Sequence, residues 1–234
     1  MNQLRSILQT PPPHLAAVID KPLNPDSLEQ IQEFADIAEL RADLLPCHDP
    51  NYLREQIQAI GSLPTLLTIR TRREGGTWRG TELERLNLFT SLIEDVDGID
   101  IEHSASIRDS IANLARDNDV VRIISRHDMK GIRSPADLHA QYGSTPACDY
   151  KKFACTVQSR ADYRTLEQFT AEHAHLGNLI VVGMGAWGPL SRVALPALGS
   201  RLVYAYCGGD ALVPGQMDLE ATHKYLSNLY PTTN

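Results

Sequence analysis

This sequence predicts an α/β fold of one domain, a (β/α)8 barrel, on three observations. First, apolar and β-branched runs repeatedly end in a charged or polar group, as in DIAELRAD, PTLLTIR, DGIDIEH, VVRIISRHD, DYKKFACTV and LIVVGMGAWG. Such a run is what a parallel strand buried on both faces looks like where it opens into a pocket. Second, eight of these runs alternate with helical stretches, and 234 residues suit eight units. Third, the polar ends occur all round. A doubly wound open sheet, which shares the alternation, would gather them at one switch point.

Taken in order, residues 1–13 read as an extended leader closed by three prolines, and the barrel occupies 14–234. Strands are expected near 14–20, 36–43, 64–70, 97–103, 119–126, 148–155, 178–184 and 201–206. Amphipathic stretches such as SLEQIQEFADI, ELERLNLFTSLIE, SIRDSIANLARD and YRTLEQFTAEH follow them. Ser27 with Gln30 fits a capping box, and Ser134 before Pro135 fits a cap with proline at the first helical position.

The net charge of −7 argues against nucleic acid or an anionic membrane as partner, while leaving room for an anionic small substrate at a local arginine cluster. Cys47, Cys148, Cys155 and Cys207 show no CxxC spacing. With a polar N-terminus and no transmembrane run, reduced thiols in a cytoplasm are the expectation.

Lys152 is the leading candidate for chemistry, because a strand amine among apolar neighbours can attack a ketone and form an imine. A lysine that snorkels or pairs with a carboxylate is the structural alternative. Alternation lets only one of Lys151 and Lys152 face inward and does not say which. His127 beside Asp128 can move a proton near neutral pH, or serve as a core histidine bonded to a carbonyl. Glu39, Arg41 and Asp43 share one strand face, as do Asp100 and Glu102; for Asp43 and the latter pair a buried ion-pair network is an equal reading. Arg70 ends the third strand and Glu74 follows in REGG. Arginines converging on one mouth suit a carboxylate or polyol.

A divalent metal on Glu39, Asp100, Glu102, His103 and His127 finds no support in ligand spacing, and His173 and His175 fall on a solvated helix. No metal and no cofactor are expected. The run from Gly183 to Gly188 fits the dinucleotide fingerprint, yet only one strand and one helix follow it. It reads instead as an anion cradle, with Ser191 and Arg192 as further donors.

Together these segments resemble the type I 3-dehydroquinate dehydratases, lyases of the shikimate pathway. The resemblance is carried by ELRADLL (39–45), TIRTRREGG (68–76), DIEH (100–103), SRHDM (125–129), DYKKFA (149–154), GMGAWGPLSR (183–192) and PGQ (214–216), in order, from about Val18 onward. It implies a (β/α)8 barrel working without metal or cofactor. By position Lys152 becomes the imine-forming lysine, His127 the general acid/base and Glu74 the carboxylate that orients it. Glu39, Arg41 and Arg70 would hold ring hydroxyls, and Arg192 and Gln216 the ring carboxylate. The implied reaction is syn elimination of water from 3-dehydroquinate, giving 3-dehydroshikimate.

Three departures stand out: Leu212 and Val18 occupy positions where the family usually has serine, and the loop DMKGIRSP is longer than its pattern. Rival readings are another imine-forming barrel lyase or aldolase, and a catalytically silent metabolite-binding barrel. Barrels of this class pair through outer helices, so a homodimer is allowed. Some members are fused to a shikimate dehydrogenase.

Overall fold

The apolar runs become eight parallel strands in the computed structural model, which describes residues 2–231. They are β1 (His14–Ile19), β2 (Ile37–Arg41), β3 (Thr65–Thr68), β4 (Gly98–Glu102), β5 (Val121–Asp128), β6 (Tyr150–Thr156), β7 (Leu179–Met184) and β8 (Leu202–Tyr206). Every residue of β1, β3, β4 and β7 is buried. One face meets the barrel interior and the other meets helices, which is why these strands read as continuous apolar runs.

Each strand pairs in parallel with the next from β1 to β7, and β1 pairs with β8. The ring closes between β7 and β8, where the Arg201 N–H donates to the Leu179 carbonyl at 2.9 Å. The Val181 N–H adds a bond to the Ser200 hydroxyl, also 2.9 Å. A short ninth strand, β9 (Met217–Asp218), pairs with β8 directly after the PGQ turn and pins that loop to the mouth.

The segment expected to be extended is helical instead. Asn2 caps α1 (Gln3–Gln9) by accepting from the Arg5 N–H, and Leu4 and Leu8 are completely buried. At i and i+4 they share one face and pack against Ala16, Ile37, Leu66, Val121 and Ile123 inside the barrel. Helix α1 is therefore the floor of the barrel. Gly98 of β4 belongs to this arrangement, since a β-carbon there would collide with the Leu4 side chain.

The outer helices that matter most begin with α2 (Pro25–Phe34), which starts earlier than expected. Asn24 is its cap and Ser27 its third residue, each bonding the other's backbone N–H, so Ser27 is the second half of the box. Between β2 and β4 lie α3 (Pro50–Ile60) and α4 (Glu82–Leu92), and α5 (Arg108–Asp117) follows β4. Ser134 caps α6 (Pro135–Ser144), with Pro135 in its first turn as expected. The remaining helices are α7 (Arg160–His173), α8 (Gly188–Ala194) and α9 (Leu219–Leu229).

Candidate active site

Alternation along β6 resolves the two adjacent lysines. Lys151 points outward, donating to the Tyr142 carbonyl at 3.0 Å with its ammonium over the Tyr142 ring. Lys152 points into the barrel and is 5% exposed. The carboxylate pairing raised as the structural alternative is present. Asp100 Oδ2 lies 2.8 Å from Nζ, Glu39 Oε1 lies 3.8 Å away, and the Tyr204 ring centre is 3.8 Å beneath.

Two residues, bonded to each other, hold Asp100 from the far side. Arg70 Nη2 donates to Oδ1 at 2.6 Å, the Ser125 hydroxyl donates to the same oxygen at 2.6 Å, and Arg70 Nη1 donates to Ser125 at 2.9 Å. Burial alone would disfavour the Asp100 charge, but Arg70, then Lys152, outweigh it and hold the carboxyl well below its usual range. Glu102 is treated likewise. Buried but flanked by Arg70 at 3.4 Å and Arg85 at 2.7 Å, its carboxyl is held down to about 2. The ion-pair reading of Asp100 and Glu102 therefore describes the structure, and it also engages Arg70, whose guanidinium is already committed to two carboxylates.

His127 is the penultimate residue of β5. Glu74 ends a short 3₁₀ turn, and Gly75 follows with φ +82°, the left-handed conformation glycine adopts without strain. That reversal aims the Glu74 carboxylate at His127, which donates its Nδ1–H at 2.9 Å and its backbone N–H at 3.0 Å to the same oxygen. The other Glu74 oxygen accepts from Ser104 at 2.9 Å. A carboxylate only accepts, so the imidazole proton sits on Nδ1 and Nε2 keeps its lone pair. Burial, then the charge on Arg70, pushes the His127 pKa down despite Glu74, so the ring is neutral near pH 7.

Arg192 is 3% exposed, and its guanidinium donates to the Gly183 carbonyl at 2.9 Å and the Tyr204 carbonyl at 3.2 Å. Among the described residues no carboxylate pairs with it. Burial alone lowers its pKa to about 10. Ser191, expected beside it as a donor, is spent on the turn. Its hydroxyl accepts from the Gly183 N–H at 2.9 Å and donates to the Gly188 carbonyl at 2.7 Å.

Gln216 reaches the same mouth because the Gly185 N–H donates to the Pro214 carbonyl at 2.7 Å, joining the loops after β7 and β8. Gly215 is required at this contact, since a β-carbon there would strike the Gly185 carbonyl. The Gln216 side-chain oxygen accepts from the Leu212 N–H at 3.1 Å.

One pocket gathers Lys152, His127, Glu74, Glu39, Arg41, Arg70, Arg192 and Gln216, the residues to which the family resemblance gives a role. Arg41 is oriented by a two-point contact with Asp43, at 2.9 and 3.0 Å. Val18, Ala154, Val182, Met184, Leu212 and Val213 form an apolar wall. Tyr204 and Ser125 escaped the sequence reading. Their signal was period two, since Ser125 is two residues before His127 and Tyr204 sits mid-strand in an apolar run. His103 turns away and bonds the Ser144 carbonyl. Elsewhere His173 hydrogen-bonds one nitrogen of His139 at 2.9 Å, and Glu172 lies 3.3 Å from the other.

Fold and site together define a (β/α)8-barrel enzyme whose reactive groups collect at the C-terminal mouth of the strands. The sequence pattern described as Type I 3-dehydroquinase matches residues 22–233. The chain is 34% identical over 227 residues to the 3-dehydroquinate dehydratase of Methanosarcina acetivorans, covering 92% of this chain and 93% of that protein. With the protein of the same description from Methanocaldococcus jannaschii it shares 31% over 201 residues, covering 82% and 86%. Among solved structures, the 3-dehydroquinate dehydratase of Aquifex aeolicus superposes with a TM-score of 0.77 at 27% identity, covering 93% of this chain and 99% of that one. The type I enzyme of Clostridium difficile gives 0.84 at 22% identity, covering 96% and 95%, a likeness of fold. The chain belongs to the type I 3-dehydroquinase family.

Proposed function

We propose that this chain dehydrates 3-dehydroquinate to 3-dehydroshikimate through an imine on Lys152. The observation that carries the reading is Arg192, a buried cation without an acidic partner among the described residues, in the pocket that holds Lys152 and His127. An unpaired buried charge is costly, and an anionic ligand satisfies it. A cyclic ketone bearing a carboxylate answers both Arg192 and Lys152.

Lys152 condenses with the C3 ketone, and the resulting iminium draws electrons from the neighbouring C2–H bond. His127 Nε2 removes that proton, leaving an enamine, and then delivers it to the departing C1 hydroxyl. One base on one face performs both transfers, so the elimination is syn. Water hydrolyses the imine. Glu74 holds the histidine throughout, Glu39 and Arg41 suit ring hydroxyls, and Arg192 with Gln216 suits the carboxylate.

No helix among the described residues is long and apolar enough to cross a membrane. All four cysteines are free, which supports a cytoplasmic setting. A homodimer is the assembly to test by light scattering.

The deciding experiment is peptide mass spectrometry after incubation with 3-dehydroquinate and borohydride. The expected outcome is a reduced adduct on the peptide carrying Lys152, with dehydroshikimate formed when borohydride is left out. An adduct with a different keto-sugar and no turnover of dehydroquinate points to another imine-forming barrel. No adduct and no product points to a silent one.

A further inference from the structure

The Lys152 nitrogen rests in a rigid setting. Asp100 Oδ2 is 2.8 Å from it, and the face of Tyr204 lies 3.8 Å below. Asp100 is wholly buried and fixed by Arg70 and Ser125, each at 2.6 Å. Arg70 is held in turn by Glu102 at 3.4 Å, and Glu102 by Arg85 at 2.7 Å. Tyr204 is 5% exposed and packed into the interior. The charged or titratable groups facing the nitrogen are Glu39 from β2, Arg70 after β3, Asp100 from β4, His127 from β5 and Tyr204 from β8. β1 and β7 contribute only Val18, Val182 and Met184 to the same pocket.

Charge can be followed through the reaction. The Lys152 amine attacks through its lone pair only as the free base. The proton it gives up returns as the carbinolamine hydroxyl leaves as water, so an iminium results and one positive charge remains. Removal of the C2 proton carries that charge to the imidazole and leaves a neutral enamine nitrogen. Expulsion of the C1 hydroxyl with the imidazolium proton, as water, restores the iminium. The nitrogen is thus cationic as iminium before elimination begins and again after it. An imine that lost its proton would be a poor electron sink.

We propose that Asp100 and Tyr204 form a fixed cation seat that keeps the Lys152 nitrogen positively charged as the iminium, before elimination and again after it. The proposal rests on the imine reading above. A carboxylate at hydrogen-bond distance and an aromatic face both favour the charged form of a nitrogen. Neither has to move between the two states, because position and charge are conserved. Arg70 and Ser125 are positioning residues that act through Asp100. The seat accounts for a carboxylate aimed at the reactive amine, which otherwise would only hinder attack.

The test uses Asp100→Asn and Tyr204→Leu, each checked for fold by circular dichroism and melting. Two quantities are read: kcat against pH, and the rate of borohydride trapping on the Lys152 peptide with 3-dehydroquinate present. With Asp100→Asn the basic limb of the profile moves down by about one pH unit or more, because the imine loses its proton sooner. Trapping at pH 8 slows in parallel. Tyr204→Leu shifts the limb in the same direction by less, and Tyr204→Phe, which keeps the ring, brings it back.

Folded variants with the wild-type limb and trapping rate overturn the proposal, even where kcat is lower at every pH. If Asp100→Asn does not fold, the Tyr204 pair decides alone, and an unshifted limb in Tyr204→Leu overturns it. Wild-type protein is trapped alongside. An untrapped, inactive wild type defeats the imine reading itself, which separates the two failures.

Discussion

Glu74 receives two hydrogen bonds from His127 on one oxygen, the ring Nδ1–H at 2.9 Å and the backbone N–H at 3.0 Å. The double contact sets the direction of the ring as well as its tautomer. A single bond would leave the imidazole free to pivot about Nδ1, whereas the second ties the carboxylate to the main chain of β5. The consequence is an Nε2 lone pair held at the pocket, which is what a base needs.

Glu74→Ala should therefore cost turnover more than binding. Its histidine keeps a nitrogen in the pocket but loses tautomer and aim. A fall in kcat of about 10- to 100-fold is expected, below the roughly 10²- to 10⁴-fold that a positioned acid/base itself supplies, with KM changed little. The fall is the smaller one because Glu74 orients the base and does not replace it. Steady-state kinetics at pH 7 checks this, and an unchanged kcat would remove Glu74 from the mechanism.

The acid side of the pH profile follows from the same residue. His127 must be neutral to accept the C2 proton, and burial followed by Arg70 lowers its pKa. In the free enzyme kcat/KM should thus rise with pH through a value below the ordinary ~6.5 of histidine. Stability has the same sign. The unfolded chain binds this proton more readily, so the contribution is complete above about pH 6.5 and is lost as pH falls through the folded value. A limb at or above 6.5 would contradict the assignment.

Leu212 and Val18 face the pocket where hydroxyls would meet a polyol. Leu212→Ser restores one of them. The expected gain is about 0.5–1.5 kcal/mol of binding, seen as a KM several-fold lower with kcat unaltered. An unchanged KM would show that the apolar wall costs the substrate nothing, and the altered residue would need another explanation.

How much of this was legible in the sequence depended on what each signal measures. The strands were, because burial on both faces leaves a long β-branched run that little else produces. The inward lysine was not decided by its own strand, since period two is symmetric between Lys151 and Lys152 until a neighbour is known. Arg85 is completely buried on α4, bonded to Glu102 and to the Ile69 carbonyl. It reads as an ordinary charge on an amphipathic helix, because its partners come from other strands. Ser191 was misjudged for a related reason: a serine beside glycines can serve a ligand or the turn, and only the close packing of Gly183 against it selects the turn. Tyr204 looked like core, and it is core. Its proximity to Lys152 is a product of barrel closure, where residues far apart in the chain meet across the axis.

The barrel floor yields the last prediction. Three prolines at 11–13 made the N-terminus look extended, but proline is a signal of where a helix stops, and α1 stops before them. Leu4 and Leu8 enter the barrel from the end opposite the reactive mouth. Leu8→Ala removes a completely buried side chain, which costs about 2–5 kcal/mol depending on how far the site collapses. In a domain of this size that lowers Tm by roughly 5–15 °C. At 25 °C kcat and KM should hold, because β1 to β8 still carry the site. A melting curve beside steady-state kinetics separates the two effects. Loss of kcat in a folded Leu8→Ala variant would mean that the floor also sets the height of the layers above it, including Tyr204, whose ring shares a buried apolar cluster with Leu4 and Leu8.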